Sequence, residues 1–380
     1  MRGFAIDAAA SEDDPRMRIT FLIPVSNLSG GVKVAAIHAE RLQRRGHEVT
    51  MIARPFRRPS LAQKLLSLAR ARRWPRNETA SPYFAAVGFR HLVLDRPRPI
   101  VDEDVPDGDV VIATWWETAF EVAALSPAKG RKFYFVQHHE VHDHLPRHLS
   151  AGSYWLPLKK IAISRWLVDI MRDRYGDSDV AFVPNSVDTA QFHAPARGKA
   201  ARPTVGFVFS NTPFKGADIA LAALSKLRER FPDLRVVAFG AEAPKAARRL
   251  PEWVEFTRRP AQDAIRALYA TCDVWLCPSW AEGFYLPLLE AMACRCPVVS
   301  TRVGGPIDVV EDGVQGHLAD VGDVDGLAAG LERVLSLPAP EWRSMSDAAL
   351  ATATAYSWDD AAERFEAVLL GAAGKPFAQT

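Results

Sequence analysis

The chain alternates short apolar runs with amphipathic stretches, and the alternation repeats in its two halves. Arg18–Pro24 is an apolar run ending in a polar, glycine-containing turn, Ser26–Gly31. A helical periodicity over Val32–Arg45 follows and stops at Gly46, glycine being the usual residue after a helix. Glu48–Ala53 is the next strand. This strand, loop, helix, strand unit predicts an α/β fold with a doubly wound sheet. Further buried strands are expected at Asp109–Thr114, Lys132–Gln137, Lys160–Ser164 and Val180–Pro184, with a helix at Trp166–Tyr175. Ala194–Pro203 is small, polar and basic, as a linker would be. A second series then begins: strand Thr204–Phe209, helix Ala217–Phe231, strand Arg235–Phe239, helix Gln262–Thr271 and strand Val274–Cys277. Leu288–Ala293 reads as a helix, Pro297–Ser300 as a strand, and Val324–Leu337 and Trp358–Leu370 as helices.

A length of 380 residues predicts two or three domains, and 48% hydrophobic residues suffice for large cores. The net charge of +2 gives no reason to expect nucleic acid as a partner. No run approaches the ~18 apolar residues of a membrane span. Met1–Arg16 is acidic and alanine-rich, lacks an apolar signal core, and is expected to be a disordered tail. Four cysteines, all between 272 and 296, suggest reduced thiols in a cytoplasmic protein. Cys294 and Cys296 have no second ligand pair nearby, which argues against zinc.

The most informative segment is Glu282-Gly-Phe-Tyr-Leu-Pro-Leu-Leu-Glu290. Glu282 falls in the loop after a buried strand, and Glu290 about one turn into the following helix. Ligands of parallel α/β sheets bind at the carboxyl ends of strands, and a helix start attracts phosphate. A carboxylate accepts hydrogen bonds from vicinal hydroxyls. The pair suits a ligand with both phosphate and sugar hydroxyls. From spacing alone it is equally a solvated loop acid and a helix-surface acid.

Other candidates surround it. Gly30-Gly31 opens a helix, as a ligand-approach loop or a tight turn, and is not a G-x-G-x-x-G dinucleotide fingerprint. Lys215, in Asn211-Thr-Pro-Phe-Lys-Gly216, lies between a strand and a helix, where a cation can neutralise a leaving diphosphate. Gln137-His138-His139-Glu140-Val141-His142 follows a strand and reads either as a site, with metal ligation open, or as a solvated loop. Asp102, Asp104, Asp107 and Asp109 are expected to be solvated turn residues. Ten arginines between 54 and 99 flank Leu61, Leu65 and Leu68, so this stretch is either a solvated surface helix or one resting on an anionic membrane.

The Glu282–Glu290 segment resembles the E-x7-E signature of retaining glycosyltransferases of family 4, and the likeness extends over roughly residues 17–370. It implies the GT-B fold: two Rossmann-like, doubly wound domains facing across a cleft. Residues 17–195 would form the acceptor-side domain, with the helix at 358–371 crossing back to it. Residues 196–357 would form the nucleotide-sugar domain. The resemblance places Glu282 beside the donor sugar and Glu290 on the ribose. The backbone of Gly283, Phe284, Tyr285 and Leu286 would face sugar and diphosphate. Lys215-Gly216 matches the diphosphate lysine; an arginine usual five residues earlier is replaced by Ser210, and Asn211 is a substitute. Gly30 and Gly31 match a glycine loop contacting diphosphate or acceptor, and His138, with His139 and Gln137 as alternatives, a residue on the donor sugar. The loop of Arg259 would edge the base. The implied activity is metal-independent, retaining transfer of a sugar from a nucleotide-sugar donor to a carbohydrate or lipid-linked hydroxyl acceptor, without a cofactor. Surface polysaccharide or glycolipid synthesis at the inner membrane face is the expected setting. An epimerase or hydrolase of the same fold, or a non-catalytic sugar-nucleotide-binding relative, is the alternative.

Overall fold

Apolar runs of four to eight residues become buried parallel strands, because a sheet covered by helices on both faces has no polar side to show. The computed structural model describes residues 16–371 apart from 28, 57–67, 69–80, 82, 144 and 246–248. The chain divides into two units. One holds the residues up to Ile161, Met171–Ala181 and the segment from Ala362 onward; the other holds Ala162–Ile170 and Phe182–Ala361.

The first sheet contains β1 (Arg18–Val25), β2 (Glu48–Arg54), β3 (Arg90–Val93), β4 (Val110–Ala113), β5 (Arg131–Val136), β6 (Lys159–Ala162) and β7 (Ala181–Phe182), in the order β3-β2-β1-β4-β5-β6-β7. The second contains β8 (Thr204–Val208), β9 (Arg235–Gly240), β10 (Val254–Arg258), β11 (Val274–Cys277), β12 (Val298–Thr301) and β13 (Gly316–Ala319), in the order β10-β9-β8-β11-β12-β13. β1 pairs in parallel with β2 and β4, and β8 with β9 and β11. In each sheet the chain winds outward from its first strand, then returns to that strand's other side. The reversal opens a crevice at the carboxyl ends of β1 and β4, and another at those of β8 and β11.

The pattern of apolar positions misses β3 and β13 and marks Val254–Phe256 without making it a strand. β3 and β10 have exposed residues at both ends or along most of their length, and β13 is Gly-His-Leu-Ala, so none carries a full apolar signal. It also misses the helices Trp116–Ala124 and Ala339–Thr354. In the latter the buried face is Trp342, Met345, Ser346, Ala349 and Ala353, a helical stripe built largely from small residues. The 194–203 stretch has no regular structure, but it is not a free linker. Arg197 stacks on Trp342 at 4.7 Å and donates to the Cys272 carbonyl, and Ala200 N–H donates to Asp273 at 2.7 Å. The four aspartates expected in solvated turns are tied down separately. Asp102 accepts from Ser126, Asp104 from Arg98, Asp107 from Lys129 and Asp109 from the Arg18 N–H.

Residues 1–15 and most of the arginine-rich stretch, including Leu61, Leu65 and Arg70–Arg73, lie outside the described residues. Of that stretch, Arg54 pairs with Glu117 and Glu121, and Arg98 with Asp104. Among the described residues no helix is long and apolar enough to cross a membrane.

The first unit closes on the part of the helix Trp358–Leu370 from Ala362 onward. Phe365 is fully buried, stacked on His38 at 4.5 Å and Phe21 at 6.2 Å, with Phe135 edge-on at 5.0 Å. Glu366 accepts from Arg45 Nε at 2.5 Å and pairs with His47 Nε2 at 2.6 Å. His47 Nδ1 accepts the Met17 N–H, so Nε2 carries the proton it gives to Glu366.

His38 lies in this core. Burial, with a smaller push from the Arg41 charge, lowers its imidazole from 6.5 to about 3. Between those values the unfolded chain binds a proton that the folded imidazole refuses, so stability falls as pH drops from 6.5 towards 3. Replacement by Leu, of similar volume, should flatten that slope by up to ~1.4 kcal/mol per pH unit. Urea midpoints at about pH 7 and pH 4.5 test this; equal slopes for both proteins would remove His38 as the cause.

Candidate functional site

Two loops leave neighbouring strands at the second sheet's reversal. After β8 the chain passes through a single turn, Pro213–Lys215, into the helix Ala217–Arg230. After β11 it runs from Pro278 to Tyr285 and enters the helix Leu286–Ala293. The second loop is gripped on both sides at distances that only glycine permits. A Cβ on Gly216, whose φ is +66°, would lie 2.0 Å from the Pro278 carbonyl oxygen. One on Gly304 would lie 2.0 Å from that of Glu282, and one on Gly305 2.3 Å from that of Phe284. Trp280 N–H donates to the Phe214 carbonyl at 2.7 Å, and Thr301 Oγ1 to that of Ser279 at 2.6 Å.

The grip sets Glu282 3% exposed at the edge of the sheet. A buried carboxylate is tolerable only when paired and hydrogen-bonded. Lys215 Nζ meets both its oxygens, at 2.9 and 2.7 Å, and Ser279 Oγ donates to Oε1 at 2.6 Å. The pair is asymmetric: the Glu282 side chain is 4% exposed and that of Lys215 33%. The cation therefore stands between a buried anion and the opening.

Tyr285 takes a left-handed backbone, φ +70° and ψ 71°, and so turns the chain sharply into its helix. Non-glycine residues in that region store strain and cluster at functional sites. Gly283, Phe284 and Tyr285 are buried, and Leu286 and Pro287 open the first helical turn. Glu290 accepts a hydrogen bond from Tyr269 Oη at 2.8 Å. Asn211 is occupied elsewhere. Its Nδ2 donates to Glu242 and the Ala243 carbonyl at 3.0 Å, and its Oδ1 accepts the Lys245 N–H at 3.1 Å. Arg259, at φ +49°, is bound through Nε to the Ala241 carbonyl at 2.8 Å. The two side chains thus frame one segment, 240–245.

In the first unit the helix begins at Gly30 itself, and a Cβ there would meet nothing within 4 Å. Gln137 Nε2 donates to the Gly31 carbonyl at 2.9 Å, tying the ends of β5 and β1 together. The following loop is held by its own hydrogen bonds rather than left to solvent. Glu140 is buried, accepts the Trp116 N–H at 2.9 Å, and is pushed up by desolvation. Tyr154 Oη receives the Glu140 N–H and donates to the His138 carbonyl, both at 2.9 Å. His139 meets Tyr175 Oη at 2.7 Å, and burial lowers its imidazole to about 4. His138 Nδ1 lies 3.1 Å from the His139 carbonyl. Among the described residues no group of three or more His, Cys, Asp or Glu is placed to hold a metal ion.

Sequence reasoning missed Ser279 and Tyr269. Ser279 had a signal, a hydroxyl three residues before the loop acid and just past a strand. Tyr269 had none, since a tyrosine in an amphipathic helix reads as core.

Residues 28–191 match the family described as Glycosyltransferase Family 4, and residues 202–336 that described as Glycosyl transferases group 1. The chain belongs to glycosyltransferase family 4, and its fold is GT-B. It is similar to a D-inositol 3-phosphate glycosyltransferase of Mycolicibacterium paratuberculosis, 36% identical over 41% of this chain and 37% of that protein. It spans about half, or less, of the length of the curated relatives it matches. In three dimensions it is similar to Anabaena Alr3699/HepE, solved with UDP and glucose: TM-score 0.72, 18% identity, 93% of this chain and 100% of the other. Sucrose-phosphate synthase of Thermosynechococcus elongatus follows: TM-score 0.70, 16% identity, 94% and 99%.

The ion pair gives the Lys215 charge a part in stability as well. Lys215→Ala strands a buried carboxylate. With the cation one-third exposed, the cost should be about 1–3 kcal/mol, between the surface and buried limits. Adding Glu282→Gln should restore most of it. Urea denaturation of both variants checks this; a double variant no more stable than the single one would deny the pairing.

Proposed function

We propose that the chain is a retaining glycosyltransferase that moves a sugar from a nucleotide-sugar donor to a hydroxyl acceptor. One observation carries the reading: a lysine paired with a buried glutamate where β8 and β11 part, beside the start of the helix bearing Glu290. In this reading Lys215 faces the diphosphate. Negative charge grows there as the bond between the sugar C1 and the phosphate oxygen breaks. A fixed cation stabilises that charge without reorganisation. The acceptor oxygen bonds to C1 on the face the phosphate leaves, and the phosphate oxygen takes the acceptor proton. Glu282, released in part from Lys215, accepts hydroxyls of the donor sugar, as does His138. Glu290 holds the ribose. The backbone of Gly283–Leu286 lines sugar and diphosphate, Gly30 and Gly31 contact diphosphate or acceptor, Arg259 edges the base, and Asn211 shapes the loop beside it. The positive groups of the site are protein groups, so turnover is proposed to need no divalent metal.

The donor screen begins with UDP-glucose, because HepE was solved with UDP and glucose, and continues with GDP- and ADP-sugars. Acceptors include inositol 3-phosphate, named for the curated relative, and oligosaccharides. Proton NMR of the product should show the donor's anomeric configuration, in excess chelator as without it. Glu290→Ala should weaken nucleotide binding by about tenfold or more, the loss of a charged hydrogen bond. Unchanged nucleotide affinity, an inverted product, or turnover that magnesium alone restores would each reject the corresponding part. Nucleotide release independent of any acceptor would point to a hydrolase.

A lipid-linked acceptor, in surface polysaccharide or glycolipid synthesis on the cytoplasmic face of a membrane, would give the arginine-rich stretch between 54 and 99 a partner. Sedimentation with anionic liposomes should then show binding that weakens with salt, since salt screens exposed charge. Equal binding to neutral liposomes, or none, would leave the stretch an ordinary surface.

A further inference from the structure

Tyr269 sits on the helix Gln262–Thr271 with no exposed surface. Its ring is caged by Trp275 at 4.5 Å, Phe239 at 5.9 Å and Phe192 at 6.0 Å, all edge-on. Such a cage would accept phenylalanine. A hydroxyl buried there costs free energy unless it is hydrogen-bonded. Its one hydrogen bond goes to Glu290 Oε2 at 2.8 Å. The cage stops the ring from swinging away, so the hydroxyl is a fixed donor at a fixed point. Burial, with the neighbouring Glu290 charge, holds the phenol well above its ordinary range, so it does not lose its proton.

A carboxylate that must receive two vicinal hydroxyls has to hold its plane in one orientation. The terminal torsion of a glutamate is broad and sets no such orientation by itself. A donor locked onto one oxygen does. Each carboxylate oxygen has two lone-pair sites, so Oε2 still accepts a second hydrogen bond. We infer that Tyr269 is a positioning residue that orients the Glu290 carboxylate towards the vicinal hydroxyls of a nucleotide ribose. The inference rests on the assignment of Glu290 to the ribose proposed above.

The test uses the full chain and whichever of UDP, GDP and ADP stabilises it most against heat. Tyr269→Phe keeps the cage filled and removes only the hydroxyl. Dissociation constants by calorimetry should rise about tenfold, the scale of losing a hydrogen bond to a charged group. Turnover at saturating donor should change less than about twofold, because the lost interaction is made equally in ground and transition states. Phe239→Leu loosens the same cage but keeps the hydroxyl; it should lower the melting temperature and weaken nucleotide affinity clearly less than Tyr269→Phe does. If Glu290→Gln weakens binding and Tyr269→Phe does not, the positioning role is overturned and the ribose assignment stands. If neither variant changes affinity, or the wild-type chain binds none of the three nucleotides, the ribose assignment falls and this inference with it. Parallel losses of affinity in Tyr269→Phe and Phe239→Leu would also overturn it, as general loosening.

Discussion

A carboxylate taken out of water must be neutralised where it stands, and Glu282 imposes that demand on the second unit. Its backbone is fixed before its charge is considered: Gly216 on one side and Gly304-Gly305 on the other leave the 278–284 segment no room to shift. With the anion fixed, Lys215 must come to it from the neighbouring strand, and Ser279 must spend its hydroxyl on it. Three loops are thereby tied into one edge. The arrangement also bears on reactivity. A cation already bound to a carboxylate has surrendered part of its hydration. The extra cost of turning it to a diphosphate is then an exchange of one anion for another, rather than desolvation from bulk water.

The two units use the same winding for different ends. At the first sheet's reversal, the loop after β5 is held from within: Glu140 is buried against Trp116, and Tyr154 clasps the backbone on either side of His139. Glu140 and His139, through Trp116 and Tyr175, hold that short loop still. At the second reversal Glu282 is held just as firmly, by Lys215 and Ser279, and Lys215 is one-third exposed.

Much of this was legible beforehand. The interior strands β1, β2, β4, β8 and β11 announce themselves because both faces are covered and most positions are apolar. The edge strands β3 and β10 do not, since half or more of their residues face water, and β13, Gly-His-Leu-Ala, has no apolar run to show. The E-x7-E spacing pointed to the loop and helix of the site. It could not show that Lys215, 67 positions before Glu282, is the ion-pair partner of that glutamate, because only the reversal of strand order makes β8 and β11 neighbours. Nor could the sequence say that Asn211 turns its amide towards 242–245, or that Tyr269 is more than another aromatic of the core. The spaced aspartates between 102 and 109 do lie at the surface, Asp107 and Asp109 exposed, as acid-rich turns suggest. What the sequence could not show is the partner of each, from Arg98 six residues away to Arg18 ninety-one away.

Phe365 completes a core whose other members, Phe21, His38 and Phe135, are made more than two hundred residues earlier. Closing so long a loop adds little to the equilibrium cost, which grows only logarithmically with length. Its weight falls on biosynthesis. While the ribosome is still adding the second unit, the apolar face formed by those three rings stands open. The second unit, nearly continuous in sequence, can seal its own interior first. The half of the protein translated earliest is therefore the last to mature, and in the interval it depends on whatever shields nascent chains in the cell.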